Sequence, residues 1–231
     1  MRTLQEQNSV SVVIPTLEVA DTLPAALAAL AGARSIREIV VADGGSTDGT
    51  IALAGAAGAR IVSAPRGRGT QLAAGAAAAS GDWLLFLHAD CRLAPGWEAA
   101  VQAFVAAPGA QGRAGYFTFA LDDRNPAARR LERIVAWRCR AFGLPYGDQG
   151  LLIARALYDS AGGFAALPLM EDVEFARRLG RRRLASLGVP LHASARRYRS
   201  GGYIRRPLRN LVCLSLYFIG VPARHIARLY R

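Results

Sequence analysis

The chain has 231 residues and a formal net charge of +12, from 29 Lys+Arg against 17 Asp+Glu, and every one of the 29 cations is arginine. A hydrophobic fraction of 52%, although inflated by 45 alanines, excludes a disordered chain, and Gly and Pro follow no fixed period, which excludes a collagen-like one. Residues 1–100 hold 7 Arg and 9 acids while residues 101–231 hold 22 Arg and 8 acids, so the basic character is C-terminal and points to phosphates on nucleic acid, on an anionic membrane or on a lipid-linked substrate.

Residues 10–14 form a β-branched apolar run ended by Pro15, the pattern of a buried parallel strand. Residues 21–33 then carry Leu and Ala at helical spacing, with Pro24 tolerated in the first turn. A second strand is predicted at 38–42, a Gly-rich loop at 43–49 leading into a helix that ends near Ala57, and a third strand at 60–62. A small-residue helix follows at 69–79, a fourth strand at 83–87 and a helix at 95–107. This alternation predicts an α/β fold with a doubly wound, mostly parallel sheet flanked by helices. Residues 114–121 alternate polar and apolar and predict an edge or antiparallel strand. A basic helix is expected at 126–140, a short strand at 150–154 and a helix at 171–179 with three acids in its first turn. Two basic helices, separated near Gly220 and Pro222, are expected in 205–231. The simplest organisation is one domain, with a regular strand–helix half at about 10–107, an elaborated half at about 108–204, and the C-terminal helices at about 205–231.

Cys91, Cys139 and Cys213 are odd in number and far apart, so they build neither a disulfide framework nor a zinc site, which favours a reducing cytoplasm. Residues 1–9 are polar and lack the apolar core of a signal peptide. Residues 210–223 are uncharged, but a spanning helix needs about 20 residues, so this run suits a core or interfacial segment.

In open parallel sheets ligands bind at the carboxyl ends of the strands. Strand one delivers Thr16 and Glu18 to that edge, strand two Asp43, and strand four His88 and Asp90. Any one of these acids alone reads as a helix cap or turn residue; three strand ends carrying acids on one edge point to a site. Asp43 is suited to accept hydrogen bonds from a nucleobase or ribose. Asp90 is suited to a hard divalent cation bridging a diphosphate, because such ions prefer oxygen ligands. The sequence contains neither a Walker loop nor a G-x-G-x-x-G fingerprint, which argues against a Rossmann cofactor.

Four segments occur in order: Ser11-Val-Val-Ile-Pro-Thr16, the run Glu38-Ile-Val-Val-Ala-Asp-Gly-Gly-Ser-Thr-Asp-Gly-Thr50, Gly81-Asp-Trp-Leu-Leu-Phe-Leu-His-Ala-Asp90, and Met170-Glu-Asp172. Together they resemble the family 2 glycosyltransferases of the GT-A fold, and most closely a group of small bacterial enzymes in which His-Ala-Asp replaces Asp-x-Asp. Tyr146-Gly-Asp-Gln-Gly150 and the stretch from Gly220 to Tyr230 are similar to that group as well.

The resemblance implies an inverting transfer from a nucleotide-sugar donor, UDP- or GDP-linked, to a hydroxyl acceptor. Thr16, Glu18 and Asp43 would line the nucleotide pocket, with Arg66 or Arg68 approaching the base or diphosphate. Asp90, with His88 beside it, would hold Mg²⁺ or Mn²⁺. Asp172 of the Glu171–Asp172 pair would be the general base, and Asp148 and Gln149 would contact the acceptor. His88 stands where an acid is usual, Gly44 where a second Asp is common and Glu18 where Asn is usual. His192 is a weaker candidate metal ligand.

The acids of 171–174 also suit a helix N-terminus by complementing its dipole. The C-terminal arginines have three readings: a solvated helix face, a cradle for substrate phosphates, or an interfacial helix giving peripheral contact with an anionic bilayer. A nucleotidyltransferase on a similar fold is the nearest rival, but Pro15-Thr-Leu-Glu18 stands where such enzymes carry a Gly-rich basic loop. A non-enzymatic nucleic-acid binder is a more distant one, and it leaves the acids at the strand ends without a role.

Overall fold

The structure, a computed structural model, describes residues 8–230. Its strands are β1 (Val10–Thr16), β2 (Ile36–Asp43), β3 (Arg60–Ser63), β4 (Trp83–Phe86), β5 (Cys91–Leu93), β6 (Ala114–Leu121), β7 (Leu151–Ala154) and β8 (Leu184–Ala193). Between them run α1 (Leu23–Ala28), α2 (Thr50–Ala56), α3 (Arg68–Ala78), α4 (Trp97–Ala106), α5 (Pro126–Phe142), α6 (Arg155–Ser160) and α7 (Glu171–Leu179). The chain ends in α8 (Arg196–Gly201), α9 (Arg205–Phe218) and α10 (Ala223–Tyr230).

The strands form one sheet in the order β3-β2-β1-β4-β7-β6-β8-β5. The first four are parallel, as their apolar runs predict: Val12, Val13 and Ile14 of β1 and Val40 and Val41 of β2 are fully buried, which requires helices on both faces. The chain winds outward from β1 to β3 and then returns to place β4 on the other side of β1. That reversal opens a crevice at the carboxyl ends of β1 and β4.

The structure departs from the expected pattern in three places. Of the two alternatives for β6 the antiparallel one holds and the edge does not: the strand is interior, antiparallel to β7 and parallel to β8, and all but one of its residues are buried. β8 is a ten-residue strand that the sequence pattern does not announce, because Gly188 and Pro190 interrupt it. Gly188 has φ +74°, and the β6–β8 register shifts between Tyr116 and Thr118, so the strand absorbs its interruption as a bulge. Finally, α1 is six residues long where the Leu/Ala pattern suggested thirteen, since the chain turns after Ala28.

Two apolar clusters hold these layers. The larger runs the length of the sheet, with Trp83 packed edge-on against Phe104 at 6.1 Å. At its far side Phe86 of β4 meets Tyr158 and Phe164, and both in turn pack on Phe175 of α7, with ring centroids 4.8–5.9 Å apart. Aromatic pairs of this kind contribute about 0.5–1.5 kcal/mol each beyond their burial, and they lock α7 to the end of β4. The smaller cluster joins Leu144, Leu169, Met170 and Val173 to Cys213 of α9 and Ile226 of α10. It seats the C-terminal helix pair against the start of α7.

Many C-terminal arginines are framework. Arg155 donates to the carbonyls of Ala76, Ala79 and Gly81, tying α6 to the turn before β4. Arg178 pairs with Glu174 and donates to Ala161 and Gly163, and Arg138 donates to Leu144 O and Gln149 Oε1 while stacking on Tyr146. Among the described residues no helix is long and apolar enough to cross a membrane.

Candidate active site

Beyond the end of β4 the chain reaches a cleft of about 830 Å³, open mouth included, whose walls come from both halves of the chain and from the C-terminal helices. Arg68, His88 and Asp90 form one side; Tyr146, Asp148 and Asp172 the floor; Arg197, Tyr198, Arg206, Asn210 and Tyr230 close it from the C-terminal side.

His88 and Asp90 flank Ala89 directly after β4, and ligand-capable atoms of His88, Asp90 and Cys91 all lie within 4.8 Å of one another. Burial, reinforced by Arg68, holds the His88 imidazole below its usual pKa and therefore neutral, with a lone pair available to a cation. Burial and the Asp90 charge push the Cys91 thiol well up, so it remains protonated. Asp148 lies on the same floor; burial pushes its carboxyl up to about 6, and its Oδ1 is buried with no hydrogen-bond partner. The Asp90 carboxylate and the neutral His88 imidazole side by side are donors that fit a divalent cation of the Mn²⁺ or Mg²⁺ type.

Asp172 sits at the second position of α7. Its Oδ2 accepts the Gly147 N–H at 2.6 Å and its Oδ1 the Val173 N–H at 2.7 Å, which fixes the carboxylate's orientation at the cleft floor. The preceding Met170 has φ +67°, a conformation a non-glycine residue adopts only at a cost, and it turns the chain sharply into α7. Gly147 is required by close approach: a Cβ there would lie 2.4 Å from His88 Nε2.

Glu171 points away from solvent, with no exposed surface, and its one charged partner is Arg68 at 3.3 Å. Burial pushes this carboxyl up while Arg68 pulls it back down. Arg68 thus stands between Glu171 behind it and the cleft in front.

The other predicted residues form a separate group at the ends of β1 and β2. Thr16 and Asp43 are buried, and the Asp43 carboxylate accepts from Thr16 Oγ1, Ser46 Oγ and the N–H groups of Gly45 and Ser46. Burial alone would raise its pKa, but these donors bring it below the usual value. Glu18, at φ +53°, accepts from Thr47 and so braces the same loop. Arg66 donates to the Gly44 and Gly45 carbonyls. Gln71, which sequence reasoning passed over, bridges the strand ends by donating to Thr16 O and Ala42 O.

Two candidates face elsewhere. Gln149 is buried, accepting from Arg138 and Cys139 and donating to Phe117 O, so its amide braces the framework and does not line the cleft. His192 alternates along β8 with Ala193, which does line the cleft, and strand geometry therefore turns the imidazole to the opposite face. Conversely, Arg197, Tyr198 and Asn210 join the site without any local motif to announce them, and Tyr230 joins it from the end of the Gly220–Tyr230 stretch.

The profile of the glycosyl transferase family 2 matches residues 11–167. No curated protein matches the chain. Among solved structures, glucosyl-3-phosphoglycerate synthase from Mycobacterium tuberculosis, in complex with Mn²⁺, UDP and glucosyl-3-phosphoglycerate, is similar at 24% identity and a TM-score of 0.59, over 93% of this chain and 81% of that one. Mannosyl-3-phosphoglycerate synthase from Rubrobacter xylanophilus is similar at 20% identity and a TM-score of 0.59, over 92% of this chain and 75% of that one. These likenesses establish the GT-A fold, and the family match, covering most of the chain, establishes the rest: the protein belongs to glycosyl transferase family 2.

Proposed function

We propose that this glycosyltransferase moves a sugar from a nucleoside-diphosphate sugar to a hydroxyl acceptor, with inversion, using a divalent cation held by Asp90 and His88. The observation that carries the reading is the meeting of His88, Asp90, Asp148, Asp172 and Arg68 in one cleft at the switch point of the sheet. Structures of the mycobacterial synthase with Mn²⁺ or Mg²⁺ and UDP support the same choice of metal and donor class. When bound, the cation neutralises the donor diphosphate as it departs.

Arg68 adds a fixed positive charge to the leaving group, since Glu171 holds its guanidinium in place. Asp172, oriented by Gly147 and Val173, takes the proton of the acceptor hydroxyl as that oxygen attacks the sugar carbon. The Thr16, Glu18, Asp43 and Arg66 group lies at the adjoining strand ends and suits the nucleoside. Its hydrogen bonds shape the Gly44–Gly45 loop against which a base would rest.

The reading extends to peripheral contact with an anionic bilayer and a lipid-linked acceptor. Ile204, Leu208, Leu211, Val212, Phe218 and Ile219 recur at helical spacing on the outward face of α9 and are exposed. Exposed Arg205, Arg224 and Arg228 flank them, and no acid follows Glu174. An apolar stripe bordered only by cations complements an anionic lipid surface.

The test is a panel of nucleoside diphosphates and their sugars, with and without Mn²⁺, read first by thermal shift and then by nucleotide release. One nucleotide should stabilise the protein only with metal, and Asp172→Asn should abolish transfer while leaving that stabilisation intact. Full transfer by Asp172→Asn would remove Asp172 as the base, and no stabilisation by any nucleotide would refute the donor site.

A further inference from the structure

Several arginines of the second half are tied into the framework. Arg138, Arg155 and Arg178 donate to backbone carbonyls, and Arg196 and Arg199 pair with Asp21, Asp122 and Asp123. Arg197 and Arg206 do neither. Both line the cleft, and among the described residues neither has a carboxylate within salt-bridge reach.

Arg206 is moreover held in a defined pose. Its guanidinium lies over the rings of Tyr198, at 5.6 Å, and Tyr230, at 6.0 Å. One turn further along α9, Asn210 lines the same wall, and its Oδ1 is buried without a hydrogen-bond partner. An unpartnered buried carbonyl oxygen costs stability unless something donates to it. Two guanidinium groups without a carboxylate partner in one cleft call for an anion, and the orphan oxygen in the same cleft calls for a hydroxyl.

Resting on the glycosyltransferase reading above, we infer that Arg197, Arg206 and Asn210 form the acceptor subsite and that the acceptor is a phosphorylated polyol. Its phosphate sits on the two arginines, one hydroxyl donates to Asn210 Oδ1, and another hydroxyl reaches Asp172. The same chemistry serves a soluble sugar or glycerol phosphate and the headgroup of a glycerophospholipid. Charge is divided accordingly: the cation and Arg68 serve the donor diphosphate, while Arg197 and Arg206 serve a second phosphate.

The test measures binding of glycerol 3-phosphate, of glycerol and of phosphatidylglycerol or phosphatidylcholine vesicles to the full chain, by calorimetry and co-sedimentation. Binding of the cognate nucleotide with Mn²⁺ is measured in parallel on every variant. Glycerol 3-phosphate should bind and glycerol should not; Arg206→Gln should weaken binding about tenfold or more, and Arg206→Lys should recover part of it, with nucleotide binding unchanged throughout. Binding only to phosphatidylglycerol vesicles, with the same dependence on Arg206, supports the subsite and identifies the lipid headgroup as its source. No phosphate-dependent binding from either source, or binding indifferent to the double change Arg197→Gln and Arg206→Gln, overturns the inference. If nucleotide binding survives in that case, the donor reading stands while the acceptor subsite falls; if no nucleotide binds wild type, the donor reading itself has failed.

Discussion

Replacing Arg68 by Met keeps the aliphatic stem and removes the cation facing Glu171, whose carboxylate is completely shielded from solvent. At 3.3 Å and an effective dielectric near 20, the gross attraction is about 5 kcal/mol. Desolvation offsets much of that, and breaking one side of a buried pair costs about 3–5 kcal/mol. Because the Arg68 side chain is 34% exposed, the lower end applies, about 3 kcal/mol. Urea denaturation of Arg68→Met near neutral pH should show that loss. The double variant with Glu171→Gln should regain about 2 kcal/mol, because no orphaned charge remains. The pH dependence gives a second check. Burial holds the folded-state pKa of Glu171 at about 7, above its ordinary 4.5, even though Arg68 pulls it down; removing Arg68 raises it further, so folding favours the protonated acid more strongly. Stability then falls as pH rises from 4.5 through the raised value, and the deficit should be smaller at about pH 5 than at about pH 8. Equal deficits at both pH values, with no recovery in the double variant, would refute the pairing argument.

Gly147→Ala should push His88 aside, because the new methyl would lie 2.4 Å from Nε2; Mn²⁺ affinity by calorimetry should fall about 10–100-fold while the far-ultraviolet circular dichroism stays native. Gln71→Met should leave the Thr16 and Ala42 carbonyls without their side-chain donor and cost about 1–3 kcal/mol in chemical denaturation, with weaker nucleotide binding. Asp43→Asn should flatten the acid limb of the stability profile. The folded-state pKa of Asp43 lies below the ordinary 3.8, so its contribution is present above that pH and is lost as pH falls below it; an unchanged acid limb would contradict this.

What could be read from the sequence was whatever depends on near neighbours. The buried runs of β1, β2 and β4 fix a parallel sheet, and the turn into α7 is announced by Met170-Glu-Asp172, so Asp90 and Asp172 reach the cleft where the motifs put them. β8 was hidden because Gly188 and Pro190 break its alternation, and its pairing is decided by β6, some seventy residues earlier. Gln149 was misleading for a related reason: a polar side chain in a loop motif is drawn to Arg138, Cys139 and Phe117 only once α5 and β6 have folded around it. Tyr198 and Asn210 carry no signal of their own, and Tyr230 ends a stretch whose resemblance says nothing of the cleft. Their place in the site follows from the packing of Cys213 and Ile226 against Leu144, Leu169, Met170 and Val173, which no local pattern encodes.

That small cluster also sets a hierarchy of opening. The sheet is held by the large core, whereas α9 and α10 are fastened to the cleft through six fully packed residues. Sub-global openings begin where apolar burial is least, so the C-terminal pair should detach while the sheet stays folded. The wall carrying Arg206, Asn210 and Tyr230 would leave together, as one unit, and exchange of amide hydrogens in α9 and α10 should be faster than in β1 and β4. An occupant that bridges the floor and this wall ties the two units into one. Slowed exchange confined to the last two helices would then be the imprint of a filled cleft.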